Sequence, residues 1–107
     1  SSTTRLGVVG YSRYLAEQVA ADGITVNNVL PGSIRTERLA QVAQMQARHF
    51  GRDPDAELDL RAARVPMKRL GQPQEMADLV TFLASERAAF LTGLSLPVDG
   101  GQLRSVQ

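Results

Sequence analysis

Two short apolar runs constrain this chain most: Ile24-Thr25-Val26-Asn27-Asn28-Val29-Leu30 and Leu94-Ser95-Leu96-Pro97-Val98. Both are bounded by glycine or proline, and the first is rich in β-branched residues, so both read as strands. Residues 31–93 between them break at Gly and Pro into pieces of helical length. Strands joined through helices pair in parallel by a right-handed crossover, which restricts the chain to an α/β sheet. Parallel sheets bury both faces, and two strands with their helices cannot supply that cover. The pattern therefore predicts part of a sheet that continues in residues upstream of Ser1.

The helical pieces have legible ends. Residues 5–21 are predicted helical, with Leu6, Val9, Leu15 and Val19 on one face and Gly23 as left-handed cap. Pro31-Gly32 stops the first strand. Thr36 caps a helix over 37–49 that carries Leu39, Val42 and Met45 at helical spacing. After Gly51-Arg52, Asp53 as N-cap and Pro54 at the first helical position open a helix to about Arg64, ended by Val65-Pro66. Pro73 opens a further helix, with Glu75 near the positive end of its dipole. Met76, Leu79, Val80 and Leu83 repeat at i, i+3, i+4 and i+7 and are predicted to be core. Pro97 belongs at an edge or a strand end. Asp99-Gly100-Gly101 reads as a structural turn, and the polar tail beyond it is expected to fray.

Composition removes several functions. The 107 residues, 43% apolar and 21% charged, suit one small globular domain. Twelve basic and eleven acidic residues give a net charge of +1, and Lys68 is the single lysine. No basic block appears, so neither nucleic acid nor an anionic membrane is expected as partner. There is no cysteine and His49 is the single histidine, so no metal site is expected. No apolar run reaches the roughly 18 residues that span a bilayer, and no signal peptide is visible. A cytoplasmic protein is the expectation.

Longer motifs bring in a family. Arg69-Leu70-Gly71-Gln72-Pro73-Gln74-Glu75-Met76-Ala77 runs on through Thr81-Phe82-Leu83-Ala84-Ser85 to Leu91-Thr92-Gly93 and Pro97-Val98-Asp99-Gly100-Gly101. This resembles the C-terminal signature of classical short-chain dehydrogenases/reductases, particularly the 3-oxoacyl-thioester reductases. Gly23 through Gly32, followed by Ile34 and Thr36, is similar to the family's late strand and cofactor loop. The resemblance implies a doubly wound Rossmann sheet, with residues 1–107 as the C-terminal part of a single domain. This part would carry the last two parallel strands and their helices, without the N-terminal dinucleotide-binding half.

The resemblance also implies roles. Pro31, Gly32, Ile34 and Thr36 match the loop that meets the nicotinamide end of NAD or NADP. Thr36 can equally be a plain helix cap, and Pro31-Gly32 a plain turn. The segment 37–64 matches the substrate-covering region, where Met45, His49, Phe50 and Leu58 either line a pocket for a small carbonyl or alcohol or simply pack. The helix over 5–21 and the strand near 94–98 match elements used in homo-oligomers. Aligned through Gly10 and Leu15-Ala16, Arg5 stands at the family's lysine and Ser1 at its tyrosine. Arg5 keeps a positive charge for a ribose or phosphate but is a poor proton relay, because its pKa is too high. The expectation is an oxidoreductase that is inactive as this chain alone. The alternative is a non-catalytic cofactor-binding or oligomerisation module of the same fold.

Overall fold

A computed structural model describes residues 2–103. Helix α1 (Ser2–Val19) runs into a 3₁₀ turn (Ala20–Asp22), then strand β1 (Asn28–Pro31). Helices α2 (Glu37–Phe50), α3 (Pro54–Ala63) and α4 (Pro73–Leu83) follow, then a second 3₁₀ turn (Glu86–Ala88) and strand β2 (Ser95–Val98). The two strands pair as one sheet. Asn28 N donates to Leu94 O (2.8 Å) and Gly32 N to Val98 O (2.9 Å). Four steps along one strand match four steps in the same direction along the other, which is parallel pairing. The α/β class and the parallel strands read from the sequence are thus present.

Contacts gather into two compact units, residues 2–30 with 78–96 and residues 31–77 with 97–103. In the first unit, α1 buries Ala16, with Val9, Ser12, Leu15 and Val19 half-buried around it. Leu6, placed on that face by sequence spacing, is 71% exposed. At about 100° per residue it lies roughly 120° from the centre of the packed face. Gly23 adopts the expected left-handed cap, φ 75°, and its N–H bonds Ala20 O.

The ladder of β1 begins four residues later than the apolar run. Over 24–27 side chains take the ladder's place: Asn27 Oδ1 accepts from Leu94 N (3.1 Å) and its Nδ2 donates to Leu91 O (3.4 Å). Val26 N donates to Thr92 Oγ1 (3.0 Å), and Gly93 N donates to Val26 O (2.8 Å). The strand is half-buried rather than buried, and Pro31 closes it instead of following it. A terminal strand residue needs no N–H, so proline is tolerated there.

In the second unit α2 and α3 form a helical hairpin. Thr36 caps α2 as expected, its Oγ1 accepting from Leu39 N (3.2 Å), and Gly51 ends it at φ 66°. Asp53 has the extended backbone of an N-cap but makes no capping bond, so Pro54 and the acidic residues Asp55 and Glu57 carry the start of α3. The core here is Ala43, Leu58 and Leu70, with Leu39 and Ala62 packed against it. Buried Glu57 has Oε1 2.6 Å from Arg52 Nε, off the axis of a hydrogen bond, and Arg52 in turn lies over the Phe50 ring at 4.8 Å.

The stripe on α4 is a correction. Met76, Leu79 and Leu83 are half-buried and Val80 is 49% exposed, and no residue of α4 is fully buried. The period is helical as read, but among the described residues no element covers the stripe completely.

Candidate functional site

The loop after β1 is built from three segments of the second unit: 31–36, 65–71 and 97–103. Ser33 O accepts from Gly71 N (2.9 Å), and Arg35 N donates to Gly71 O (2.8 Å), a single parallel bridge centred on Ile34. Ile34 is buried, its Cδ1 filling the space a side chain on Gly71 would need (2.7 Å). On the other side Gly32 N donates to Val98 O, and Ser33 Oγ donates to Gln102 Oε1 (3.2 Å). Met67 N donates to Gly100 O (3.2 Å), and Gly100 and Gly101 lie against Val65, Pro66 and Met67, which closes the ring. Lys68, within that ring, holds a positive φ of 61° with Nζ on Ala63 O (2.8 Å).

The turn after β2 is held by Asp99, whose Oδ1 accepts from Gly101 N (3.0 Å) and Oδ2 from Leu103 N (2.7 Å). That is the structural role read for Asp99-Gly100-Gly101. Gly100 (φ 61°) and Gly101 (φ 91°) suit it, because both need the left-handed region.

The residues expected to meet a cofactor are therefore gathered in one place. Pro31, Gly32 and Thr36 are exposed while Ile34 points inward and anchors. The Gly32 N–H is committed to the ladder and cannot donate to a ligand. Thr36 accepts with its oxygen, so its hydroxyl hydrogen remains available to donate. The loop leaves the carboxyl end of a parallel strand, where ligands of open α/β sheets bind. These features fit the nicotinamide side of a dinucleotide.

The residues expected to meet substrate lie on α2. Met45 is 68% and Phe50 60% exposed, and His49 is exposed with its ring edge-on to Phe50 at 4.7 Å. Arg5 is exposed on α1 in the first unit. Ser1, matched to the family tyrosine, lies outside the described residues. Among the described residues no cluster of His, Cys, Asp or Glu could hold a metal ion. Among the described residues no helix is long and apolar enough to cross a membrane.

Sequence reading missed how Arg69 and Glu75 work together. Arg69 Nη1 and Nη2 meet Glu75 Oε1 and Oε2 at 2.7 and 2.9 Å, and Gln72 N donates to Glu75 Oε1 (2.9 Å). Glu75 thus serves as the return arm of a capping box as well as facing the dipole. The hydrogen bonds from Arg69, then that from Gln72, hold the Glu75 carboxyl at about 2, below its ordinary 4.5. Glu75 in turn raises the Arg69 pKa, first through the hydrogen bond and then through its charge. A depressed carboxylate pKa stabilises the fold above the unfolded value, and that contribution disappears as pH falls from about 4.5 towards 2. Glu75→Gln should flatten stability against pH in that acid window, as read by thermal melts. An unaltered acid slope in the variant would contradict the assignment.

Known proteins now place the chain. Residues 2–102 match the family adh_short_C2, described as enoyl-(acyl carrier protein) reductase. The chain belongs to this family, and so to the short-chain dehydrogenases/reductases. It is 42% identical over 100 residues to the 3-oxoacyl-[acyl-carrier-protein] reductase FabG of Escherichia coli, covering 94% of this chain and 36% of that protein. It is 38% identical over 102 residues to the acetoacetyl-CoA reductase of Shinella zoogloeoides, covering 94% and 38%. Among solved structures it resembles L-sorbose reductase of Gluconobacter frateurii, complexed with NADPH and L-sorbose. That match has a TM-score of 0.89 and 34% identity, over 97% of this chain and 40% of that one. The chain thus spans little more than a third of these relatives.

Proposed function

We propose that the chain is the C-terminal part of an NAD(P)-dependent oxidoreductase that reduces a small carbonyl compound or oxidises the corresponding alcohol. The observation that carries this is the stitched loop of residues 31–36 at the carboxyl end of β1, with the Thr36 hydroxyl hydrogen available to donate. Relatives named as reductases, one of them complexed with NADPH, support the same reading. A bound nicotinamide would supply or accept the hydride. The chain's own residues would orient it: Pro31 and Gly32 shape the backbone, Ile34 anchors it, and Thr36 donates a hydrogen bond to the carboxamide or a phosphate. Arg5 would keep a positive charge at the position of the family's lysine. Met45, His49 and Phe50 on the α2–α3 hairpin would cover the substrate. Acid–base chemistry and the pyrophosphate cradle would come from elsewhere in the protein, so this chain alone would be inactive.

Calorimetric titration of the intact protein with NAD⁺, NADH, NADP⁺ and NADPH should give micromolar binding of at least one, typical of enzyme ligands at roughly 1 μM to 1 mM. The 107-residue chain should bind all four far more weakly. No binding by the intact protein would reject the proposal. A second reading, an assembly module without catalysis, draws on the exposed apolar side chains of α1, namely Leu6, Val8, Tyr11 and Tyr14. Light scattering on the same samples separates the two: a homo-oligomer that binds no dinucleotide would favour the second.

A further inference from the structure

The ring of three segments has one feature that scaffold alone does not require. Ser33 sits between the two loop residues whose backbones are fixed, Gly32 by Val98 and Ile34 by the Gly71 bridge. Its carbonyl is held by Gly71 N on one side and its hydroxyl by Gln102 Oε1 on the other. Gln102 is itself placed by the Asp99 turn, its N–H donating to Asp99 O (3.1 Å). Its Oε1 lies 3.1 Å from where a Cβ on Gly32 would stand, so the carboxamide lies directly beside the exposed Gly32 backbone. Gly32 and Thr36 are, with Pro31 and Arg35, exposed positions of the loop, and Ser33 lies between them.

We infer that Gln102, in the turn after β2, is a positioning residue for the dinucleotide, acting through the Ser33 hydroxyl to fix the course of residues 32–36. This rests on the reading of the loop as the nicotinamide side. The Asp99 turn would hold its shape without Gln102, because both Asp99 carboxylate oxygens are satisfied by Gly101 N and Leu103 N. Replacing the Gln102 side chain therefore loosens the loop without unfolding the turn. Both partners are at least partly solvent-accessible, so the bond affects geometry more than global stability.

The test uses the intact protein with Gln102→Leu, Ser33→Ala, the double variant and Ser33→Thr. Gln102→Leu and Ser33→Ala should each weaken dinucleotide Kd about five- to tenfold, the worth of about one hydrogen bond. The double variant should be no worse than either single one, because both remove the same bond. Ser33→Thr, which keeps the hydroxyl, should bind as the unsubstituted protein does. KM for the dinucleotide should rise while kcat is kept. Without cofactor, hydrogen exchange over residues 31–36 should quicken in Gln102→Leu while the melting temperature holds. Unchanged Kd, additive single effects, or unchanged exchange in the loop would each overturn the inference. Absence of dinucleotide binding by the unsubstituted protein would instead reject the proposed function, and shows before any variant is made.

Discussion

Gly32→Ala should destabilise the chain by about 1–3 kcal/mol, the usual cost of forcing a methyl into a closed space. The added Cβ would stand 2.5 Å from Asp99 Cβ and 2.8 Å from Asp99 Cα. The second of these is backbone in a turn fixed by two carboxylate bonds, so it cannot swing aside like the end of a flexible side chain. Gly32 is not among the residues of positive φ, so alanine there costs nothing in backbone conformation. Removing glycine would even gain roughly 0.4–1 kcal/mol by restricting the unfolded chain. The clash exceeds that gain, so the net sign is a loss. Gly10→Ala provides the contrast: it lies within α1 with nothing inside 4 Å of its added Cβ, and should stabilise by roughly 0.5–1 kcal/mol. Urea midpoints of the two variants should move in opposite directions. A stabilised Gly32→Ala would mean that Asp99 and the loop do not meet as described. The glycine therefore has a packing reason of its own, whether or not a cofactor also requires a close backbone approach.

The elements were legible because local chemistry decides them. Thr36 as cap, Pro54 and Pro73 at helix starts, Gly23 as a left-handed end and Gly51 as a break each act within a few residues of where they stand. The errors came where contacts between distant residues took over. Residues 24–27 have the composition of strand, yet Asn27 and Thr92 satisfy the backbone with side chains, and no single-segment pattern signals that. The stripe on α4 has the helical period that its spacing predicts but is not core, since period reports a face and not what covers it. Leu6 failed for a simpler reason, an angular misplacement on α1.

The loop expected to hold a cofactor is legible in the sequence as a segment, but what holds that segment in shape is not. Pro31, Gly32, Ile34 and Thr36 fall in one loop, as the motif implied, but their roles differ: Ile34 is an anchor, and the Gly32 N–H is already used. Ser33, Gly71 and Gln102, which hold the loop, are separated by tens of residues and belong to types common in any turn. Arg69 and Glu75 were closer to readable. An acidic residue three positions after the N-cap of a proline-opened helix suggests a capping box, and an arginine just upstream is the natural bidentate partner.

Leu58→Ala should cost about 2–4 kcal/mol, the range for removing a buried leucine where the surroundings collapse only in part. Leu58 is the largest side chain shared between α3 and the rest of the cluster with Ala43 and Leu70. Its neighbour on α2 in that cluster, Ala43, is fully buried and too small to move into the space. For a chain of 107 residues such a loss is a large share of the ~5–15 kcal/mol that holds a domain together. Met45→Ala, at an exposed position on the same hairpin, should stay within roughly 0.5 kcal/mol. Chemical denaturation followed by circular dichroism would show the difference, and equal midpoints for the two variants would refute the packing assigned to α2 and α3. The pair also bears on function. If Met45 covers substrate, Met45→Ala raises KM in the intact protein at unchanged stability, whereas Leu58→Ala lowers stability and disorders the cover together. The hairpin starts at Thr36 and returns to the ring at Val65, so losing its core would loosen two of the ring's segments, 31–36 and 65–71.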